Sequence, residues 1–330
     1  MPSTLVALHL ARVLGCSTEA LFELRESSVT ARLVGATPGL PSRVQLAQVG
    51  PRLLAFPLAG GQGLRTPADG TVRVCDHHQD VQVELSGSLA VPQRTAVVAG
   101  CDPSLELFVP HLARRTPEVR LAWQPMASLP ALQALARGEA HAAGIHLWDA
   151  PSGTSNLPFV QALLPGRPMH LFTLWAWEQG LIVAPGNPLG LTGAADLMRS
   201  DVRLITRETG AGSRLLLDAW LDQAGYTLRP QQGLPDDTVE ATSHLDLVER
   251  IAAGQADVGP GPRSAARALR LDFVPLQVER FDLVVPDEHL EHPALRALLD
   301  VARSNAFRTE LQALGGYDPS HAGELWRTSA

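Results

Sequence analysis

The sequence predicts an α/β protein built as a clamshell, two lobes of alternating strands and helices joined by two long extended segments. Three observations carry this. From Thr95 onward, short apolar runs alternate with amphipathic helical segments of the size that links parallel strands by right-handed crossovers. The runs "MHLFTLWAWEQGLIVAPGNP" and "LDFVPLQVERFDLVVPDE" are longer than an ordinary strand and flank a second αβ series. The 330 residues, 45% hydrophobic and 18% charged, supply core for two or three packing units.

In chain order, Ser3 is a helix cap, and Leu5, Leu8, Ala11 and Leu14 form the expected buried stripe of a first short helix. Gly15 stops it, and Ser17 caps a second helix with Ala20, Leu21 and Leu24 inward. Two such helices over residues 1–26 cannot make a core alone. Residues 27–94 change character: "RVQLAQVG" and "TVRVCDHHQDVQVELSG" are β-prone and are separated by turn chemistry such as "AGGQG" and "TPADG". They read as a small β-rich module or an elaborated linker. The pair His77-His78 suggests a metal, but no third ligand lies near it in sequence, so an exposed pair at a turn is expected.

Residues 95–330 form the clamshell. "TAVVAG", "VRLAWQPM" and "AHAAGIHL" are strands, separated by the helices "SLELFVPHLARR" and "LPALQALARGE". The second lobe, about 179–272, runs from "AADLMR" through "VRLIT", "SRLLLDAWLDQAG", "HLDLVERIAAGQ" and "DVGPG" to "RSAARALR". The tail "HPALRALLDVARSNAFRTELQALGG" returns to the first lobe, which comprises about 95–178 and 273–330. Ligands of such folds bind at the carboxyl ends of the strands, in the cleft.

Composition excludes several chemistries. All 27 basic residues are arginine, so there is no Walker A lysine, no Schiff-base lysine and no lysine general base. The net charge of −7 opposes nucleic acid, and residues 1–26 set Arg12 and Arg25 against Glu19, Glu23 and Glu26. No apolar run reaches a membrane span and residues 1–24 lack a secretory pattern, so a cytoplasmic location and no membrane partner are expected. The three cysteines, Cys16, Cys75 and Cys101, are read as reduced thiols; no metal and no cofactor is expected.

The strongest local signal is "LITRETGAGSRLLLDAWLDQAG", residues 204–225. A strand ending at Thr206 leads through Gly210 and Gly212 into a helix beginning near Ser213. The backbone amides there, with Thr209, Ser213 and Arg214, outline an anion site at a helix N-terminus. A tight strand–helix turn with Ser213 as a plain cap has the same spacing, and spacing alone leaves both readings open. "AGCDPSLELF" repeats the device with Asp102 and Ser104, "MASLPALQAL" with Ser128, and "ATSHLDLV" with Thr242, Ser243 and His244. Each is singly a helix cap; their convergence on one cleft is what points to a ligand. His146, at the end of "GIHL", is a candidate wall residue, and Cys101 is the only cysteine at a cleft position. Among the tryptophans, Trp148 at a strand end is the cleft candidate, whereas Trp175 and Trp177 read as core.

On "AGCDPSLELF", "GEAHAAGIHLWD", "EQGLIVAPGNP", "TRETGAGSR", "GQADVGPGPRSAARALRLDFVPL" and "ERFDLVVP", the segment 95–330 resembles the periplasmic-binding-protein-like (type II) domains of bacterial cytoplasm. "RETGAGSR" is also similar to the effector loop of LysR-type regulators and the anion loop of tungstate-binding proteins. The resemblance implies a ligand-sensing domain for molybdate, tungstate or a pterin-like molybdenum-cofactor precursor, with no catalytic residue. Ala211 and Ser213 depart from the family's serine and threonine, and Pro260 and Pro262 from its plain glycine turn. "PSTLVALHLARVLGCSTEALFEL" resembles the last two helices of an XRE-type helix-turn-helix domain, whose recognition helix would precede Met1. The expected function is therefore an effector-binding transcriptional regulator, a homodimer that reaches DNA only through a helix-turn-helix absent from this chain. A cytosolic oxyanion carrier with no DNA role is the alternative, and an enzyme on the same fold ranks third.

Overall fold

A computed structural model describes residues 3–18, 28–75, 79–226 and 239–329. The chain divides between Gln93 and Arg94 into two compact units. The second predicted N-terminal helix and the pair His77-His78 fall largely or wholly outside the described residues.

In the first unit the helix Thr4–Leu14 starts where Ser3 accepts a hydrogen bond from the Val6 amide and ends at Gly15, whose φ is +66°. The expected stripe does not bury. Ala11 is covered, but Leu5, Leu8 and Leu14 are exposed, because no described element of this unit packs along that face. Residues 28–85 form a closed five-stranded barrel of β1 (Ser28–Leu33), β2 (Ser42–Val49), β3 (Arg52–Pro57), β4 (Gly70–Cys75) and β5 (Asp80–Leu85). Period-2 patterning explains it: Ala31 and Leu33, Val44 and Leu46, and Val81 and Val83 turn into one core. Closure leaves the barrel no free edge.

The second unit is organised on an eight-stranded sheet. β6 (Thr95–Gly100), β7 (Arg120–Pro125) and β8 (Ala142–Ile145) are the parallel strands that the crossovers require. β11 (Met169–Val183) and β15 (Asp272–Pro286) are the two long segments, each of 15 residues, and they pair antiparallel along their whole length. The sheet is therefore mixed. It continues from β11 to the edge strand β14 (Val258–Pro262), while the short β16 (Tyr317–Asp318) pairs with the middle of β11 at Ala176 and Trp177, and β17 (Glu324–Ser329) with its start. Pro260 and Pro262 lie in this edge strand and not in a turn; an edge tolerates a residue that cannot donate to a ladder. Short hairpin strands β9 (Trp148–Asp149) and β10 (Thr154–Ser155) follow β8, and β12 (Ile205–Arg207) pairs parallel with β13 (Val239–Ala241).

One core gathers Val98, Phe108, Trp175, Phe281, Leu298 and Phe307, so the helices Pro293–Arg303 and Asn305–Leu314 pack on the same core as β6, β11 and β15. Second-lobe cores form around Leu216, Trp220 and Leu181, and around Ile205, Leu247 and Ile251. Gly180 sits where β11 passes from one lobe to the other. A Cβ there would stand 2.1 Å from the Val274 carbonyl oxygen, so the two crossing strands can approach only at a glycine.

Candidate functional site

The site is built where β6, β8, β11 and β15 of the first lobe meet the glycine loop and the helix His244–Ala252 of the second. Cys101 follows directly on the fully buried β6. Its Sγ lies 3.9 Å from the Ser128 hydroxyl. Ser128 is not a cap. The cap residue is Ala127, and Ser128, in the first turn of the helix Ser128–Ala136, accepts a hydrogen bond from the His146 amide at 3.2 Å. His146 in turn holds Glu279 through Nδ1 at 2.9 Å, with both side chains 1% exposed. Burial by itself would lower the imidazole's pKa; the adjacent Cys101 and Glu279 overcome it and raise it to about 10, so His146 favours its charged form.

His244 approaches from the second lobe. It opens a helix that Ser243 caps by accepting from the Asp246 amide at 2.9 Å, which turns the imidazole inward, 1% exposed. The guanidinium of Arg207, also buried, donates to His244 Nδ1 at 3.1 Å. Arg207 is itself held by both oxygens of Glu208 at 2.9 Å and by the Ala241 carbonyl. Burial, then the charge of Arg207, then that of His146 push His244 well below the ordinary histidine range, so it stays neutral. Because Nδ1 accepts, the ring hydrogen sits on Nε2. Trp177 stands edge-on to both imidazoles, at 4.8 Å from His146 and 5.9 Å from His244.

The glycine loop seals this arrangement. The helix starts at Gly212, one residue before the expected Ser213, with Ala211 as its cap residue. A Cβ on Gly212 would lie 2.0 Å from the His146 carbonyl oxygen, so only glycine lets the lobes meet here. The Gly210 carbonyl accepts from the Leu129 amide across the lobes at 3.1 Å, and Ser213 donates to Gln179 Oε1 at 3.4 Å. Several buried polar atoms at this junction have no partner among the described residues: Trp177 Nε1, Gln179 Nε2, His244 Nε2 and Glu279 Oε1. Buried polar atoms are nearly always paired, so a cluster of unpaired ones marks a place for a ligand.

A cavity of 390 Å³ adjoins the cluster, with His244 on its wall beside Asp102, Ser104, Ser264, Arg267 and Tyr317. The Tyr317 hydroxyl donates to the Asp102 carboxylate at 3.0 Å while Ser104 and Ser264 lie 2.8 and 3.0 Å from its oxygen. Burial raises the Asp102 pKa to about 6, against the hydrogen bonds from Ser104 and Tyr317.

Of the residues singled out from sequence, Ser128, His146, Gly210, Gly212, Ser213 and His244 come together, and Asp102 and Ser104 line the adjoining cavity. Three do not serve as expected. Arg214 is neutralised by Asp218, one turn further along the helix, at 2.9 Å and by Glu240 at 3.5 Å. Thr209 is exposed on the loop, and Ser243 spends its hydroxyl on the helix cap. Trp148 packs against the second-lobe core, and Trp177 takes the cleft position instead. Glu279, Gln179, Arg207 and Tyr317 were not legible as site residues. The one available signal was Glu279, one of two carboxylates, with Asp282, in the otherwise largely apolar run "QVERFDLVVP".

Residues 109–303 match the PBP superfamily domain. The chain belongs to the PBP superfamily. An uncharacterized protein, YvgK, of Bacillus subtilis (strain 168) is 32% identical over 229 residues, 69% of this chain and 72% of the relative. An uncharacterized protein encoded in the 5′ region of a 2Fe-2S ferredoxin gene of Clostridium pasteurianum is 39% identical over 87 residues, 26% of this chain and 77% of that one. Among solved structures, a phosphate ABC transporter substrate-binding protein from Clostridium perfringens with bound phosphate superimposes with a TM-score of 0.52. It shares 13% identity and covers 68% of this chain and 98% of its own, a likeness that establishes the PBP fold alone.

Proposed function

We propose that this chain is a ligand-sensing domain that binds a small oxyanion where its lobes meet, and that it serves a transcriptional regulator. The observation that carries the anion reading is the set of unpaired buried donors on Trp177 and Gln179, adjacent to the His146–His244 pair at the closed lobe junction. Donors that cost free energy when buried alone become favourable around an anion from which water is excluded. The phosphate held by the structural neighbour is consistent with a tetrahedral guest. Molybdate and tungstate are the leading candidates from the resemblance of "TRETGAGSR" to oxyanion-binding loops, with a pterin-like precursor next. The regulator reading rests on the likeness of residues 2–24 to an XRE-type domain; a cytoplasmic location and a homodimer go with it.

A thermal-shift and calorimetric screen with molybdate, tungstate, phosphate and sulfate tests the first part. Stabilisation by one of them, weakened at least tenfold in Trp177→Phe or Gln179→Ala, is expected; no response to any oxyanion overturns the reading. For the second part, deletion of the gene is expected to change transcription of genes that respond to the same anion. Unchanged transcripts with intact anion binding would assign the carrier role.

A further inference from the structure

We propose that Cys101, His146 and His244 form a binding site for a single divalent metal ion of the zinc class, reached from the lobe junction and open at one coordination position. One ligand atom from each of the three residues lies within 4.8 Å of the other two, and among the described residues no other group of histidine, cysteine or carboxylate side chains converges in this way. A thiolate with two imidazoles is a donor set that zinc, cobalt and copper prefer over magnesium or calcium. Bond lengths of about 2.3 Å to sulfur and 2.0 Å to nitrogen set ligand atoms roughly 3.5 Å apart, so the three side chains need close by only about 1 Å onto an ion.

The surroundings fit this reading independently of the ligand count. His146 uses Nδ1 on the Glu279 carboxylate, the arrangement that fixes a metal-bound imidazole and raises its basicity. That leaves Nε2 for the ion. His244 Nε2 is buried and unpartnered, an atom without a task in the metal-free protein. Ligation needs its lone pair, so the ring hydrogen moves to Nδ1 and the Arg207 N–H turns away from it, the guanidinium staying held by Glu208 and the Ala241 carbonyl. Ligation takes Cys101 as the thiolate and His146 as the neutral imidazole, so any proton on either is released as the ion binds.

The formal charges point the same way. Arg207 is compensated by Glu208, Arg214 lies outside, and Glu279 turns an unpaired oxygen toward the junction. An oxyanion entering this junction alone meets the unpartnered oxygen of the Glu279 carboxylate. A bound dication supplies the missing positive charge, and the open position gives the anion a direct ligand. The metal site stands whether or not the oxyanion reading of the preceding section does, because the ion can be titrated with no oxyanion present.

The test uses the full chain carrying Cys16→Ser and Cys75→Ser, so that Cys101 is the only thiol, in a buffer free of phosphate, sulfate and molybdate. Titration with cobalt(II) is expected to give one equivalent bound with a near-ultraviolet thiolate-to-cobalt charge-transfer band, displaced by zinc. Adding Cys101→Ser removes the band, and His244→Ala and His146→Ala each weaken binding by at least tenfold. Glu279→Gln leaves the band in place and lowers affinity 10- to 100-fold, the range for a partner that orients a ligand. Near-ultraviolet circular dichroism of each variant reports whether the fold survives. A folded protein that shows no saturable cobalt or zinc binding, or a band that persists without Cys101, overturns the proposal.

Discussion

At the scale of single residues, two positions separate the role of the glycine loop from that of the charge beside it. Gly212 lets backbone meet backbone, since a Cβ there would press on the His146 carbonyl at 2.0 Å. Gly212→Ala is therefore expected to destabilise the protein by about 1–3 kcal/mol, the usual cost of overpacking a closed contact. It should also weaken ligand binding, because the lobes are held apart where they close. Denaturant unfolding and calorimetry on the same variant check both; a variant with native stability and affinity removes the argument. Arg214→Ala, by contrast, is expected to leave affinity within about twofold, because its partly buried guanidinium is already engaged by Asp218 and Glu240 and does not reach the junction. A loss of tenfold or more would return Arg214 to the site.

Among the elements, the helix Pro293–Arg303 carries its own acid sensitivity. Its cap is His292, whose Nδ1 accepts from the Ala294 amide at 3.2 Å, and the ring lies 4.5 Å from His141 in a group that also includes His289. Burial, and then the charge of His289, lower the His292 pKa to about 4. An unfolded histidine titrates near 6.5. Between those values the unfolded chain binds the extra proton and the folded chain resists it, so stability falls as pH drops from about 6.5 to 4 and is unaffected above that window. His292→Asn, which keeps a capping oxygen and cannot titrate, is expected to flatten the fall of the unfolding midpoint across this window; an unchanged slope would refute the assignment. The elements themselves were largely legible. β5 and the helices after Thr95 show their period, and "TAVVAG" is buried at every position as a central strand should be. What escaped was pairing at a distance. Glu279 finds His146 across 133 residues and Arg207 finds His244 across 37, and no local pattern encodes which buried charges will meet. The stripe of Leu5, Leu8 and Leu14 fails for the opposite reason: periodicity states which face is apolar, not whether anything covers it.

For the molecule as a whole, the decisive fact is that each of the two units carries a hydrophobic core of its own. Among the described residues, the barrel core is built from residues 29–85, and the cores of the larger unit from Ala96 onward. A closed barrel satisfies its own backbone and presents no open edge that a second unit must cover. The larger unit likewise contains both crossing strands, the glycine loop and the terminal helices, so every side chain of the Cys101–His146–His244 cluster and its supports lies within it. Residues 94–330 expressed alone are therefore expected to unfold in one cooperative transition and to bind the ligand with an affinity within about threefold of the full chain. Differential scanning calorimetry of the full chain should resolve a second transition that the fragment lacks. If the fragment is soluble but fails to unfold cooperatively, the larger unit depends on the first for its stability, and the independence argued from the separate cores is wrong.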